Sequence, residues 1–599
     1  MVNVEILSVS STPRSLGDTS DSKIIKLDWE TAAARKREDR ANRLKPYSHW
    51  SLGDLTPPLS QKNVTSLVHA RLTDRERSFL ASDVTDLTQR LASRECTSLE
   101  VTTAFCKATY AAQELTNCIT EVMFSQALSR AQELDVHISQ TGKVVGPLHG
   151  IPISIKDHIC VKGEDTSTGF VAWAGRTIAE EDATIVQILR AAGAIIYVKT
   201  TNPQSLFAFE TFSNIYGNTT NPHNRSLTSG GSSGGEGALI GSRASLLGVG
   251  TDIGGSIVRW CHYCIQVSFL TKINAFRGPS AWCGLYGLKP SSHRLPASGL
   301  ERPCNGMENI VGVIGPMAHS SRDLELFFKV VSGSEPWKID FSALCMPWNQ
   351  SAAEAGLNEK LVVGFFVDDG IVAPHPPIVE RLHKTRRALI AAGHEVIDWT
   401  PMDHMEAFEL TVKLYMLDGG DDIRAILAES GEPPIPQLAS ILPDPKAGGA
   451  CTLAQSWAMN IRRDQFRARA LKHWNQTALL SKSGRSVDVV LCPAAPTLAP
   501  PHGTTRWVGY TSYWNLLDLP AVVFPSGEPF DASAWELATG LSSGEPRNEI
   551  DAFVKAQWDP KTFDNAPIGL QLVGNRWQEE RLLAALKHIE NAVAQYEQS

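Results

Sequence analysis

Several features that would assign this chain to a special class of protein are missing from its sequence. No uninterrupted apolar run reaches about 18 residues, so we expect no membrane-spanning helix. The first residues contain no basic stretch followed by an apolar one, so no secretory signal is predicted. The net charge of −8 offers no positive excess with which to bind nucleic acid or an anionic membrane. The 11 cysteines are odd in number and scattered, which is typical of a reducing compartment, and we therefore expect a cytoplasmic protein.

The hydrophobic pattern that is present predicts an α/β fold. Residues 182–200 and 376–400 each consist of a helical pattern, a glycine suited to ending that helix, and a short β-rich run. Further candidates for buried strands are 150–155, 361–367, 488–493 and 567–573. Helices that alternate with short apolar strands favour a mixed, twisted β-sheet core covered by helices.

The chain divides by composition into three parts. Residues 1–27 are polar without hydrophobic period and are predicted to be a disordered tail. Residues 28–80 are predicted to form an N-terminal helical appendage, beginning at 27–45 with a charged, solvated helix that lies on the main body. The remainder, 81–599, is predicted to be one large domain, with the proline-rich piece 431–445 as a surface excursion.

The glycine-rich stretch 230–260 allows several interpretations. A phosphate-binding loop of the Walker type needs a lysine after its glycines, and this stretch contains none. A nucleophile elbow would match Gly230-Gly231-Ser232-Ser233-Gly234, but no strand precedes it. A flexible linker would not carry apolar runs such as "LLGVGTDI".

An oxyanion-binding site accounts for more of this stretch. The glycines of "GTDIGGSI" free several backbone N–H groups to point at one spot beside Ser256, and Ser232 is a second serine 24 residues upstream. Upstream again, Lys156 ends the apolar run "GIPISIK", where burial can keep an amine neutral and therefore basic.

The ordered motifs "GIPISIKD", "GGSSGGEGALIG", "GVGTDIGGSI" and "APIGLQLVG" resemble those of the amidase signature family, over roughly residues 28–595. Within that family, the flanking motifs look most like fungal acetamidase-type enzymes. The resemblance implies the amidase signature fold, hydrolysis of the carbon–nitrogen bond of linear amides, and no cofactor or metal.

Carried onto this sequence, the resemblance implies a Ser–cisSer–Lys triad. Ser256 would be the nucleophile, Lys156 the base, and Ser232 the bridging residue, preceded by a cis peptide bond from Gly231. The other implied site residues lie nearby: Ile253, Gly254, Gly255 and Leu206 around the oxyanion and substrate, and Gly231, Ser233, Thr251 and Asp252 in support. The family assigns His158 no catalytic role.

One segment departs from the family pattern directly after the nucleophile. Removing residues 258–276 leaves "GGSIRGPSAWCGLYGLKPSS", a smooth family sequence in which Arg277 supplies the expected arginine. We interpret these 19 residues as a translated intron, with a genuine insertion that forms a lid or partner surface as the alternative. Cys261 and Cys264 lie within it, but a lone C-x-x-C is a weak metal signal.

The leading interpretation is an amidase acting on a small-molecule amide, and a homodimer is the assembly considered. Two alternatives stay open: a catalytically impaired family member that acts as a scaffold, and a biosynthetic enzyme that transfers the acyl group to another amine. The substrate is left open between a small aliphatic amide and a specialised metabolite. We expect its pocket to be lined by the segments 405–445 and 505–535.

Overall fold

A computed structural model describes residues 28–253, 276–445, 449–535 and 544–598. Its centre is an 11-stranded sheet with the strand order β1-β3-β2-β6-β8-β7-β12-β13-β11-β9-β10, and β4 and β5 form a separate pair. The strands are β1 Ile119–Val122, β2 Pro152–Lys156, β3 Ile195–Thr200, β4 Phe212–Ser213, β5 Gly217–Asn218, β6 Leu247–Asp252, β7 Tyr286–Lys289, β8 Val313–Ala318, β9 Val362–Phe365, β10 Glu395–Asp398, β11 Val489–Pro493, β12 Ala521–Pro525 and β13 Gly569–Gly574.

Helices cover this sheet. They are α1 Trp29–Leu44, α2 Asp74–Ala81, α3 Val84–Ala92, α4 Ser98–Thr116, α5 Phe124–Thr141, α6 Thr184–Ala191, α7 Gly234–Gly241, α8 Arg277–Trp282, α9 Ser321–Gly333, α10 Gln350–Asn358, α11 Pro376–Ala391, α12 His404–Tyr415, α13 Asp421–Ser430, α14 Pro436–Ala439, α15 Leu453–Gln476, α16 Gly509–Leu516, α17 Glu549–Ala556 and α18 Glu579–Gln598. Among the residues described, no helix is both long and apolar enough to cross a bilayer.

The predicted α/β class and mixed sheet are confirmed. The four single-strand candidates correspond to β2, β9, β11 and β13. The two helix–glycine–strand patterns correspond to α6 with β3 and α11 with β10, and the connecting Gly193 and Gly393 have φ of +93° and +81°. These left-handed values explain the glycines, because residues with a Cβ rarely adopt them.

The predicted solvated helix near 27–45 is present as α1, but its inner face is buried. Lys36 Nζ lies 2.6 Å from Glu121 Oε1 and 2.9 Å from Asp165 Oδ2, and all three side chains are almost fully buried. The helix therefore lies on the main body, as predicted, but Lys36 on its inner face is not solvated. A charged sequence does not reveal which of its charges meets a partner far along the chain.

The prediction that 431–445 is a surface excursion holds for only part of this segment. Ile435, Leu438 and Ile441 are buried in the core. The buried Glu432 accepts hydrogen bonds from the Val171 N–H at 2.7 Å and the Gln204 amide at 2.6 Å. The prolines exclude regular secondary structure over part of the segment, but they do not exclude burial once polar partners are supplied from elsewhere.

Candidate active site

Lys156 ends strand β2 in the interior of the sheet. Strand β2 pairs in parallel with β3 on one side and with β6 on the other. The Lys156 side chain is fully buried. Its Nζ lies 2.5 Å from Ser232 Oγ and 2.9 Å from Thr251 Oγ1 at the end of β6. The structure thus brings together three residues that the sequence separates by up to 95 positions.

The surroundings of Lys156 favour the uncharged amine. Burial lowers the pKa of Lys156 from its ordinary 10.5 to about 7, although the nearby carboxylates of Asp252, Glu236 and Asp157 act in the opposite direction. Desolvation therefore outweighs charge attraction, as expected for an ammonium group removed from water. An amine with this pKa can accept a proton near neutral pH.

Ser232 lies in a tightly held loop before helix α7. The peptide bond between Gly231 and Ser232 is cis. Thr211 fixes the loop from both sides, because its hydroxyl donates to the Gly230 carbonyl at 2.8 Å and accepts from the Gly234 N–H at 3.1 Å. These contacts set the position of Ser232 Oγ relative to Lys156.

The segment that contains Leu206 packs against this loop. A Cβ placed on Gly231 would lie 2.6 Å from the Ala208 carbonyl oxygen, which explains why only glycine fits there. Leu206 is 8% exposed and has a φ of +66°, an uncommon value for a branched side chain. Ala208, two residues after Leu206, thus contacts the loop that holds Ser232.

Thr251 connects the lysine to further groups. The Thr251 N–H donates to Ser233 Oγ at 3.3 Å, and Thr251 Oγ1 lies 2.7 Å from His158 Nε2. Burial lowers the pKa of His158 well below its usual range, so its ring is neutral. His158, to which the resemblance assigns no catalytic role, therefore contacts the residue that Lys156 also contacts.

Asp252 forms a fully buried ion pair with Arg277. Arg277 Nε donates to Asp252 Oδ2 at 2.8 Å and Nη2 to Oδ1 at 3.1 Å, which is the bidentate arrangement. Gln571 accepts from Arg277 at 2.9 Å, and Asn515 donates to Asp252 at 2.8 Å. Arg277, which follows the segment 258–276, therefore stands beside the residue that ends β6.

Part of the predicted site lies outside the described residues. These are the predicted nucleophile Ser256, its neighbours Gly254 and Gly255, the cysteines Cys261 and Cys264, and the segment 258–275. Phe276, the last residue of the predicted insertion, is described and is fully buried in a cluster with Ile240 and Met317. Phe276 thus packs as part of the folded body.

A large cavity begins beside Ile253. The Ile253 carbonyl accepts a hydrogen bond from the Tyr415 hydroxyl. Tyr415 in turn lines a cavity of about 1300 Å³. The segment 405–445, predicted to line the substrate pocket, supplies Leu414, Tyr415, Leu417, Asp418, Asp422, Ile426 and Glu429 to its wall. No described residue of 505–535 lines this cavity.

Tyr415, Asn515 and Gln571 are site residues that sequence reasoning missed. Each reaches the site from a distant part of the chain, and neither Tyr415 nor Asn515 lies in a recognised motif. Gln571 alone lies in a segment with a family motif, "APIGLQLVG", but nothing in that motif indicates a partner 294 positions away.

Fold and site together define an α/β enzyme with a buried lysine and paired hydroxyls, and comparison with known proteins agrees with this class. The family model described as Amidase matches residues 100–267 and 275–583. The chain is 38% identical to an acetamidase of Emericella nidulans over 94% of this chain and 97% of that protein. It is 39% identical to a putative amidase of Schizosaccharomyces pombe over 94% and 99% of the two chains.

A solved structure of a fatty acid amide hydrolase superimposes with a TM-score of 0.82 at 30% identity, covering 95% of this chain and 97% of that one. A bacterial aryl acylamidase shares the fold with a TM-score of 0.66. The chain belongs to the amidase family, and it is a hydrolase that acts on the carbon–nitrogen bonds of linear amides. The family match is interrupted between residues 267 and 275, inside the segment predicted to be inserted.

Proposed function

We propose that this protein hydrolyses a carboxylic amide to an acid and ammonia or an amine, through Ser256 as nucleophile, Ser232 as proton bridge and Lys156 as base. The observation that carries the proposal is the 2.5 Å separation of Lys156 Nζ and Ser232 Oγ in a fully buried setting. A neutral amine in contact with a hydroxyl is what a proton relay to a second hydroxyl requires.

The proposed reaction begins with proton transfer. The Ser256 hydroxyl passes its proton to Ser232, which passes its own to Lys156, while Ser256 Oγ attacks the amide carbonyl carbon. Backbone N–H groups from Ile253 to Ser256 stabilise the resulting oxyanion, and each such donor contributes about 3–4 kcal/mol.

The relay then runs in reverse. Protonated Lys156 returns the proton through Ser232 to the leaving nitrogen, the carbon–nitrogen bond breaks, and an acyl ester remains on Ser256. Protonation of the nitrogen matters because an unprotonated amine is a poor leaving group. Water, deprotonated by the same relay, cleaves the ester, releases the acid and regenerates the serine hydroxyl.

A fluorophosphonate probe tests the proposed nucleophile directly. We expect the purified full chain to be labelled at one serine, identified as Ser256 by peptide mass spectrometry, with parallel loss of ammonia release from a panel of amides. Ser256→Ala should remove labelling, whereas Ser242→Ala, which alters a serine at the C-terminal end of α7 outside the proposed relay, should retain it. Labelling that persists in Ser256→Ala, or a folded chain that neither labels nor releases ammonia, would contradict the proposal and favour the scaffold alternative.

The pH dependence follows from the lowered pKa of Lys156. Because only the neutral amine accepts the proton, kcat/KM for an uncharged amide should fall about tenfold per pH unit below about 7 and level off above it. Glu236 faces the lysine and burial raises its pKa to about 7, so the two groups titrate together in this range. Initial rates of ammonia release across this range measure the profile. A flat profile from about pH 5 to 9 would rule out the lysine as base.

The predicted insertion is tested at the level of the messenger RNA. If residues 258–276 come from a retained intron, we expect sequenced transcripts to lack these 19 codons and to join Ile257 directly to Arg277. The ion pair of Arg277 with Asp252 supports this reading, since it puts the arginine beside the end of β6. Transcripts that uniformly retain the codons would establish a genuine insertion.

A further inference from the structure

Among the described residues that line the cavity beside Ile253, one partly buried arginine has no counter-charge. Arg302 lines this cavity and is partly buried. Within the part of the chain that the structure describes, no carboxylate lies within 4.0 Å of its guanidinium group, and no protein group accepts a hydrogen bond from it. A charge withdrawn from water is costly unless it is paired, and burial accordingly lowers the pKa of Arg302.

The backbone holds Arg302 close to the proposed reaction centre. The preceding residue, Glu301, donates its N–H to the His158 carbonyl at 2.9 Å and accepts from the Thr168 hydroxyl at 3.0 Å. A methyl group placed on Gly312 would lie 3.5 Å from Arg302 Nη1 and 3.4 Å from Ile253 Cδ1. The guanidinium and the start of the proposed oxyanion segment therefore both lie close to the Cβ position of Gly312.

The other charges of the cavity are already engaged or exposed. Asp422 accepts the Cys304 N–H at 2.6 Å, and Asp418 accepts the Gly420 N–H at 2.9 Å. Arg463 pairs with Asp464 at 2.9 Å. Among the described cavity residues, Arg302 is thus the partly buried cation whose donors are available to a bound molecule.

We propose that Arg302 binds a carboxylate carried by the amide substrate, so that the enzyme prefers amides with an anionic end over neutral ones; this rests on the proposed amidase function. The guanidinium fork matches a carboxylate with two parallel hydrogen bonds. A singly charged carboxylate suits this site better than a phosphate, because four carboxylates also line the cavity and repel a higher negative charge: Glu308, Asp418, Asp422 and Glu429. The apolar wall residues Met307, Leu414 and Leu417 suit a methylene spacer.

Matched substrates test this preference on the full chain. The monoamides of succinic, glutaric and adipic acid are compared with butanamide, pentanamide and hexanamide, in which a methyl group replaces the carboxylate. N-acetyl-β-alanine and N-propylacetamide form the corresponding pair with the charge on the amine side. In at least one pair we expect the wild type to show a kcat/KM at least about tenfold higher for the charged member, as a paired buried charge implies.

Variants connect the preference to Arg302. Arg302→Met should lose the preference mainly through KM while it retains activity on the neutral amides, and Arg302→Lys should restore part of it. Arg176→Met is the matched control, because Arg176 lines the same cavity but is exposed, and it should leave the preference unchanged. Equal loss on charged and neutral substrates, equal loss in Arg176→Met, or a wild type that prefers the neutral amides would overturn the proposal.

A binding measurement separates this inference from the proposed function. Calorimetric titration with glutarate needs no turnover, so it reports on Arg302 even if no amide is hydrolysed. Glutarate binding that the wild type shows and Arg302→Met lacks would support the anion site. If the same wild-type protein hydrolyses no amide, only the proposed function would be contradicted. Absence of binding, or equal binding to both proteins, overturns the anion site whatever the activity.

Discussion

Replacing Lys156 by methionine will reduce kcat/KM for amide hydrolysis by about three orders of magnitude, because the variant has no group to accept the nucleophile's proton. Methionine approximates the length of the lysine side chain without its amine. Burial already disfavours the charged form of Lys156, so the midpoint of thermal unfolding should stay the same or rise. Ammonia release and thermal denaturation, measured on the same preparation, check both parts.

A matched control uses another buried lysine. Lys289 on β7 is fully buried, its pKa is lowered to about 8 by burial, and its amine donates to the Pro290 carbonyl at 3.0 Å. Lys289→Met changes the interior in a similar way without touching Ser232, so hydrolysis should continue. Undiminished turnover in Lys156→Met at neutral pH would contradict the proposed relay, whereas a similar loss in both variants would point to a general effect on folding.

The second large effect concerns stability. Arg277→Met should lower the free energy of unfolding by about 3–5 kcal/mol, because it leaves the Asp252 carboxylate buried without its cation. The loss should be visible as a lower midpoint in urea denaturation. Asp252 adjoins the proposed oxyanion segment, so labelling of Ser256 should decline as well.

The control is an arginine–aspartate pair at the surface. Arg322 also pairs with Asp83, but Arg322 is 46% exposed. Arg322→Met should therefore cost no more than about 1 kcal/mol. Equal effects of the two substitutions would mean that the buried pair is not an important element of the fold.

Local sequence patterns were sufficient to predict six of the 13 strands described, whereas the pairing of Lys156 with Ser232 was implied by the family resemblance. Strand β2 is a continuous apolar run, so its burial can be inferred from the residues of the strand itself. The glycine after α6 marks the turn into β3, so the start of β3 can be inferred from its immediate neighbours. Removal of residues 258–276 makes Arg277 the arginine that the family pattern expects, and Arg277 pairs with the predicted site residue Asp252. The roles proposed for Ser256, Gly254 and Gly255 stay predictions, since these residues lie outside those described.

The sequence did not indicate which residues far apart in the chain contact each other. The burial of Glu432 depends on donors more than 200 positions upstream, and composition alone suggested an exposed proline-rich segment. Tyr415 and Arg302 belong to different segments that meet only at the cavity. In each case the contact joins residues that are far apart in the sequence, and no periodic pattern in the sequence relates their positions.

The ion pairs of helix α1 bear on where a shortened form of this protein could begin. A chain that started at residue 100, where the family model begins, would keep Glu121 and Asp165 but lose the ammonium of Lys36 that neutralises them. Two buried carboxylates would then lack their cation, and burial already raises the pKa of Glu121 to about 7. We therefore expect that the region matched by the family model does not fold independently here, and that proteolytic trimming past α1 yields a fragment that unfolds rather than a smaller active enzyme.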